Sequence, residues 1–345
     1  MKSLLSSSLV VEKPRACRII RRRLPRLRKN QVVVRVAYAA ICATDVRIFQ
    51  GRTDVRLPQV IGHDFCGVVE ESRSELPRWR PGSVVAVDPA YHCCRCRHCI
   101  SGRYNLCEVG TWLGFELPGG LAERVIVPDV CLVPLPRGFD LKLGALLEPV
   151  VVALHTIEFM AEAASTSVAL LGLGAIGLTL LQLLQLHGVQ VMGLDPDRRA
   201  LADARALGAR NLRVLPRPGH LLTAVLPRSL RQAFDYVVEC SGVQSAVDLS
   251  TTLARPGGTI LQVGSGRGLH GPTIELEKEL TIQYVELGPR LYPQAIHLAH
   301  TRRIDLLPLI GGISGLGDAP RVLQALSSNH PPRGRFIVRV HPPES

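Results

Sequence analysis

Residues 168–195 read VALLGLGAIGLTLLQLLQLHGVQVMGLD, with no Asp, Glu, Lys or Arg before the closing Asp195. A run of that length and apolarity is long enough to cross a bilayer. Its glycines divide it: Gly172, Gly174 and Gly177 cluster near one end, and Gly188 punctuates the other. The division predicts a buried strand, a tight turn, a helix and a second buried strand ending at Asp195. Strands of a parallel sheet covered on both faces read as continuous apolar segments. The stretch therefore belongs to a soluble α/β domain and not to a membrane span.

The same texture continues on the C-terminal side. After about Val151, strand-like and helix-like segments alternate: DRRALADARALGA reads as a helix, FDYVVECSG as a strand, VQSAVDLSTTLARPGG as a helix stopped by Pro256 and Gly257, and TILQVG as a strand. Repeated strand-helix units make a doubly wound parallel sheet. On the N-terminal side, valine runs broken by Gly and Pro (QVVVRVAYAAI, GSVVAVDPAY, GLAERVIVPDVCLVPLP) predict a β-rich, barrel-like domain with long loops. Beyond Gly288 a helix, PQAIHLAHTRR, and a final strand, GRFIVRV, return to that first domain. The expected organisation is 1–152 completed by 288–345, with 153–287 as the second domain.

GLGAIG at 172–177 is G-x-G-x-x-G placed after a strand and opening a helix, with an acid at the end of the following strand. That context is the one a dinucleotide site needs. Gly172 makes the turn, Gly174 admits a pyrophosphate to the backbone, and Gly177 lets helix and strand pack closely. Ala175 and Ile176 lie at the helix N-terminus, whose dipole attracts the phosphates. Asp195 can accept hydrogen bonds from ribose hydroxyls and repels a 2′-phosphate, which favours NAD over NADP. Arg198 and Arg199 are the residues that could hold a 2′-phosphate instead.

With 345 residues, 46% hydrophobic and 20% charged, the chain is globular, with length enough for two cores. The formal charge is +12, and its densest run, RIIRRRLPRLRK at 18–29, raises nucleic acid or membrane as partners. The run lacks interleaved aromatics, contains Pro25 and leads into a strand, so it reads as a solvated loop or edge hairpin. No nucleic acid or membrane partner is expected. The opening MKSLLSSSLVVEKPRACRII is interrupted by Glu12 and Lys13 and is not read as a signal peptide.

Ten cysteines are present, five of them in HCCRCRHCISGRYNLC at 92–107. Their spacing does not resemble a secreted disulfide framework, and a reducing cytoplasm with metal-held thiolates fits it better. Cys93, Cys96, Cys99 and Cys107 can close a tetrahedral zinc shell, and a closed shell is structural. An iron-sulfur run would place its fourth cysteine sooner and follow it with proline, where this chain has Glu108. A mixed set with room for an open position lies elsewhere: Cys42 in AAICATDVRIFQG, His63 and Asp64 in VIGHDFCGVVE, and Glu148 in LLEPVVVALH.

These segments, taken in order with GGLAERVIVP, GLGAIG, VVECSG and ARPGGTILQVG, resemble the zinc-dependent medium-chain alcohol and polyol dehydrogenase family over nearly the whole chain. The resemblance implies a GroES-like catalytic domain, completed by the C-terminal segment, and a Rossmann domain. It implies a catalytic zinc held by Cys42 and His63, with Asp64 where the family usually has glutamate and Glu148 as ligand or close neighbour, and a structural zinc on Cys93, Cys96, Cys99 and Cys107. Asp45 matches a carboxylate that orients a ligand, and Thr44 matches the hydroxyl that hydrogen-bonds the reacting alcohol. Gly172, Gly174, Ala175, Ile176, Gly177, Asp195 and Arg199 form the expected cofactor set.

The implied reaction is hydride transfer between a secondary alcohol (a polyol, sugar, cyclitol or aminocyclitol) and NAD, with an alcohol or ketone as the small-molecule partner. A homodimer or homotetramer in the cytoplasm is expected. A threonine-type amino-alcohol dehydrogenase and a catalytically silent cofactor-binding member are the alternatives. Arg47 stands where many relatives carry a relay histidine and cannot accept a proton near neutral pH. Proton release is therefore expected through Thr44 and the cofactor ribose, with Arg47 near phosphate or substrate. Phe49 and Phe115 are candidates to line the substrate site.

Overall fold

The computed structural model describes residues 4–160, 166–216, 227–265, 269–272, 276–328 and 331–341. The chain divides into two units, Met1–Glu148 with Gly288–Ser345, and Pro149–Leu287.

In the first unit the valine runs become strands because β-branched side chains fit a pleated, half-buried surface. In chain order these are β1 (Leu5–Lys13), β2 (Ala16–Arg23), β3 (Gln31–Ile41), β4 (Gln59–Val60), β5 (Asp64–Ser72), β6 (Val84–Val87), β7 (Ala90–Tyr91), β8 (Thr111–Trp112), β9 (Arg124–Pro128) and β10 (Leu132–Pro134). Short helices α1 (Ala43–Phe49), α2 (Arg97–Ile100) and α3 (Leu141–Gly144) interrupt them, and α4 (Leu147–Ile157) follows.

The main sheet runs β10-β6-β5-β3-β18-β17, with β9 also paired to β3; β17 (Ile310–Gly315) and β18 (Arg335–Arg339) come from the C-terminal segment. Val32, Val34, Val36, Ala39 and Ile41 of β3 are buried in one core with Phe65, Val85, Leu121, Val125 and Val338. The basic run lies on β2 and the loop after it. β2 is the edge of a β2-β1-β4 sheet, with Arg18, Arg21 and Arg23 exposed. Charges on an edge strand discourage pairing with another chain.

The second unit is a six-stranded sheet, β13-β12-β11-β14-β15-β16, in which every pair is parallel. Its strands are β11 (Ser167–Leu171), β12 (Gln190–Asp195), β13 (Asn211–Val214), β14 (Phe234–Glu239), β15 (Ala254–Gln262) and β16 (Thr281–Tyr284). The order places the first strand at the centre and reverses direction beside it, the dinucleotide-binding topology. The apolar run at 168–195 is β11, a helix α5 (Ala175–Leu186), and β12. No helix among the described residues is long and apolar enough to cross a membrane.

One boundary differs from the sequence reading. The helix Gln244–Leu253 stops before the Pro256–Gly257 pair, which instead lies within β15, where the register with β14 shifts and Gly257 has φ +72°. The turn residues make a bulge in a strand whose neighbours hold it, so pairing overrides the local stop signal. β13 and β16 lie at the two edges and are too short to stand out by periodicity.

Candidate active site

Three adjacent strands of the first unit end side by side, and the site is built there. β3 finishes at Ile41, and Cys42 caps α1, its Sγ accepting from the Thr44 N–H at 3.2 Å. Asp45 closes the reciprocal capping arrangement, accepting from the Cys42 N–H at 2.9 Å through Oδ2. Its Oδ1 accepts from the Gly62 N–H at 3.0 Å and lies 3.9 Å from His63 Nδ1. One fully buried carboxylate thus ties the Cys42 segment to the His63 segment and faces the imidazole from behind. That is the place of a group that orients a metal-binding histidine.

Cys42 Sγ lies 3.4 Å from His63 Nε2, which is 3.7 Å from Asp64 Oδ1. The three offer ligand atoms within 4.8 Å of one another, and all three residues are buried. Asp64 Oδ1 and His63 Nδ1 have no hydrogen-bond partner among the described residues. Burial pushes the Cys42 thiol up to about 12, Asp45 adds to the shift, and the Arg335 guanidinium opposes it. An unpaired buried carboxylate oxygen beside an imidazole and a thiol is costly alone. A soft divalent cation removes that cost, satisfying the oxygen and drawing the proton from sulfur, so the donors fit zinc.

Glu148, at the start of α4, is brought to the same place but stands outside the three-residue cluster. Arg335 of β18 explains it: one nitrogen of its guanidinium donates to Asp64 Oδ2 and the other to Glu148 Oε2 at 3.1 Å. Sequence reasoning missed Arg335. Only the pairing of β18 with β3, Phe336 opposite Ile41, carries residue 335 to the Cys42 end of the sheet.

Thr44 is half-buried on α1, and Arg47, one turn on, donates to its hydroxyl at 3.0 Å. The Phe115 ring stands 5.5 Å from that of His63, whereas Phe49 is buried in the hydrophobic core.

The four cysteines Cys93, Cys96, Cys99 and Cys107 also gather their sulfurs within 4.8 Å. Cys96 immediately precedes α2 and Cys99 lies within it, with 3.5 Å between their sulfurs. Backbone N–H groups of Glu108 and Cys99 point at Cys96 and bring its thiol down to about 6, while those of Arg95 and Cys96 lower Cys93. Burial pushes Cys99 up to about 12. A turn that aims N–H groups at sulfur is prepared for thiolates, and the donor set fits a closed zinc shell. Cys94, exposed at φ +59°, is outside the cluster.

In the second unit Gly172 has φ +94°, and a Cβ there would lie 2.9 Å from that of Ser241. A Cβ on Gly177 would collide with the Gly172 carbonyl, and one on Gly174 would meet nothing within 4 Å. Gly172 and Gly177 are thus required by packing. Gly174 leaves open space at the N-terminus of α5, where Ala175 and Ile176 are half-buried.

Asp195 accepts from the Leu173 N–H and the Asp197 N–H, each at 2.8 Å, which fixes its carboxylate beside the glycine turn. Arg199 is exposed, with Nε 3.5 Å from Asp197. A residue without an assigned role in the sequence reading completes this end of the sheet. Fully buried Glu239 accepts from the N–H groups of Ser241 (2.7 Å) and Gly242 (3.1 Å), from the Ser241 hydroxyl, and from Gln262 Nε2 (2.7 Å). It holds the loop that Gly172 packs against. Its only signal in the sequence is an acid at the end of an apolar strand.

Comparisons with known proteins agree with this geometry. Residues 28–137 match the alcohol dehydrogenase GroES-like domain and residues 175–300 the zinc-binding dehydrogenase family. The 2-dehydro-3-deoxy-L-galactonate 5-dehydrogenase of Pseudoalteromonas atlantica is 32% identical over 311 residues, 87% of this chain and 89% of that protein. The D-xylulose reductase A of Aspergillus oryzae is 28% identical over 95% of each chain. Among solved structures, a zinc-binding dehydrogenase from Sinorhizobium meliloti 1021 bound to NADP superposes with a TM-score of 0.87 at 28% identity, covering 97% of this chain and 99% of that one. Sequence, fold and both cysteine-containing clusters place the chain in the zinc-dependent medium-chain alcohol and polyol dehydrogenase family.

Proposed function

We propose that the protein oxidises a secondary alcohol of the polyol, sugar or cyclitol class, and reduces the corresponding ketone, with NAD as hydride carrier. The observation that carries this reading is the buried Cys42–His63–Asp64 cluster, whose orphaned carboxylate oxygen and crowded thiol call for a divalent cation. The names of two relatives, a D-xylulose reductase and a dehydrogenase of a deoxy-galactonate, support a polyhydroxylated substrate. The fixed carboxylate of Asp195 supports NAD, since it offers ribose hydroxyls an acceptor and repels a 2′-phosphate.

The bound groups supply Lewis acidity at the substrate oxygen and a hydride acceptor at the nicotinamide. The residues of this chain do the rest. Cys42, His63 and Asp64 hold the metal, Asp45 sets the imidazole from behind, and Thr44 donates to or accepts from the reacting hydroxyl, passing its proton outward. Arg47 cannot take that proton and holds the Thr44 side chain in place. Cys93, Cys96, Cys99 and Cys107 hold a structural zinc away from the chemistry. Use of five of the ten cysteines as metal ligands in this reading supports a reducing cytoplasm as the site of action, and a homo-oligomer is part of the proposal by likeness to the family.

The test is a panel of polyols, aldonic acids, aminocyclitols and amino alcohols with NAD and with NADP, followed at the nicotinamide absorbance, together with metal analysis. Turnover of a polyhydroxylated secondary alcohol with NAD, and about two zincs per chain, are expected. Turnover of amino alcohols alone points to the threonine-type reading, and about one zinc with no turnover to a silent cofactor-binding protein.

A further inference from the structure

Three loops follow the C-terminal ends of β11, β14 and β15, and they interlock. A Cβ on Gly172 would lie 2.9 Å from that of Ser241, one on Gly242 would lie 2.7 Å from the Ser265 carbonyl oxygen, and one on Gly264 would collide with the Gly242 nitrogen and the Glu239 carboxylate. Two facing side chains pin these loops together. Glu239 of β14 lies opposite Gln262 of β15, and Gln262 Nε2 donates to Glu239 Oε2 at 2.7 Å and to the Gly264 carbonyl at 2.8 Å. Glu239 Oε1 accepts from the N–H groups of Ser241 and Gly242, and the Glu239 carbonyl accepts from those of Val263 (2.9 Å) and Gly264 (2.8 Å).

The strand order reverses between β11 and β14, and a dinucleotide lies across such a switch point with its pyrophosphate at the glycine turn. Asp195, at the end of β12, takes the adenosine ribose in this reading. The nicotinamide half therefore belongs on the other side of the turn, with the ends of β14 and β15, where Glu239 stands.

The polar groups against the Glu239 carboxylate are all donors, the pattern of an ionised acid. Those donors are neutral, and among the described residues no cation pairs with it. Burial raises its pKa and the hydrogen bonds oppose that shift. A charge held in the protein interior acts more strongly on its surroundings than one in water. The nicotinamide ring is a cation in the oxidised cofactor and neutral in the reduced one.

We propose that Glu239 discriminates between the two redox forms of the cofactor: a buried anion at the nicotinamide end, it favours the oxidised, cationic form over the neutral, reduced one. Being fully buried, it acts through its charge and not by contact. In alcohol oxidation this weakens the hold on the reduced product. The inference rests on the dehydrogenase reading above, and its test separates the two.

The zinc-loaded full-length protein is compared with Glu239→Gln, Glu239→Asp and Gln262→Lys. Calorimetry measures dissociation constants for the oxidised and reduced forms of whichever of NAD and NADP binds more tightly, and for the matching ADP-ribose fragment, which lacks the nicotinamide ring. Glu239→Gln removes the charge at constant shape. The ratio of the reduced-form to the oxidised-form constant should fall about tenfold, because the oxidised form binds more weakly, while the constant for the fragment changes less than about twofold. Glu239→Asp keeps the charge, so the ratio should stay as in the wild type even if all three constants rise together. Gln262→Lys keeps Glu239 and sets a cation beside it, and should move the ratio in the same direction as Glu239→Gln.

Equal weakening of the fragment and of both redox forms in Glu239→Gln would mean that Glu239 does no more than staple the loops, and overturns the proposal. So does a ratio that falls in Glu239→Asp as far as in Glu239→Gln. A ratio left unchanged in Gln262→Lys overturns it whether or not the Glu239 variants fold. A wild-type protein that binds neither dinucleotide overturns the dehydrogenase reading itself, and this inference with it.

Discussion

The Arg47 guanidinium donates to the Thr44 hydroxyl at 3.0 Å, across one turn of α1. A fixed cation therefore occupies a lone pair of the hydroxyl expected to handle the substrate proton, and Arg47 itself has no acceptor. Replacing Thr44 with valine should lower kcat by about 10²–10⁴, the usual worth of a positioned proton-transfer group, with little change in melting temperature. Arg47→His adds a group that titrates between about pH 5 and 8 and can accept the proton when neutral. The profile of kcat/KM should gain an inflection in that range, rising with pH. A variant with the wild-type profile, alongside a fully active Thr44→Val, would show that the proton leaves by another path.

The cysteine lobe predicts a different outcome. Cys99 is 4% exposed and its sulfur lies within 4 Å of both Cys93 and Cys96 sulfurs. Cys99→Ser should reduce bound zinc from about two to about one per chain and lower the melting temperature by several degrees or prevent folding. Loss of turnover in a fully folded protein that retains its Cys42-site zinc would instead tie the lobe directly to the reaction.

How much of this was legible in the chain depends on how local each signal is. The glycine turn at 172–177 could be read because three glycines, a strand before and an acid after are all set within one supersecondary unit, and the structure shows a steric reason for Gly172 and Gly177. The cysteine lobe could be read for the same reason, since its ligands sit within one short loop. Arg335 could not: it stands 271 residues from Asp64 and 187 from Glu148, and strand register is what brings them together. The burial of Phe49 in the core could not be read, because an aromatic on a short helix next to a site looks the same in sequence whichever face of the helix it occupies. The end of the helix Gln244–Leu253 was misplaced because a Pro-Gly pair marks a turn but does not say whether the turn lies between elements or inside a strand.

Asp195 sets the cofactor prediction. Both of its oxygens accept backbone N–H groups, so it cannot swing away from a 2′-phosphate without breaking the turn that holds Leu173. Asp195→Asn keeps an acceptor oxygen and removes the charge. The ratio of kcat/KM with NAD to that with NADP should fall by about tenfold or more, equivalent to ~1.4 kcal/mol. Arg199→Ala in that background should then weaken NADP alone. Steady-state rates with both nucleotides check it, and an unchanged ratio would remove Asp195 as the discriminating group.

Asp88 gives a prediction about pH. It is 3% exposed, accepts from the Ala90 N–H at 2.9 Å, and burial pushes its carboxyl up to about 8, with the Glu148 charge adding to the shift. In an unfolded chain an aspartate titrates near about 3.9. Between those two values the folded state keeps a proton that the unfolded state has lost, so this group makes stability fall as pH rises through the window and level off above about 8. Asp88→Asn, of the same shape but unable to ionise, should remove that slope. Denaturant midpoints of the zinc-loaded proteins should therefore diverge from about pH 5 upward, the variant gaining on the order of a few kcal/mol relative to the wild type by about pH 8. Midpoints that stay parallel across the range would mean that Asp88 is ionised in the folded protein, and that a neighbouring group supplies the compensating charge.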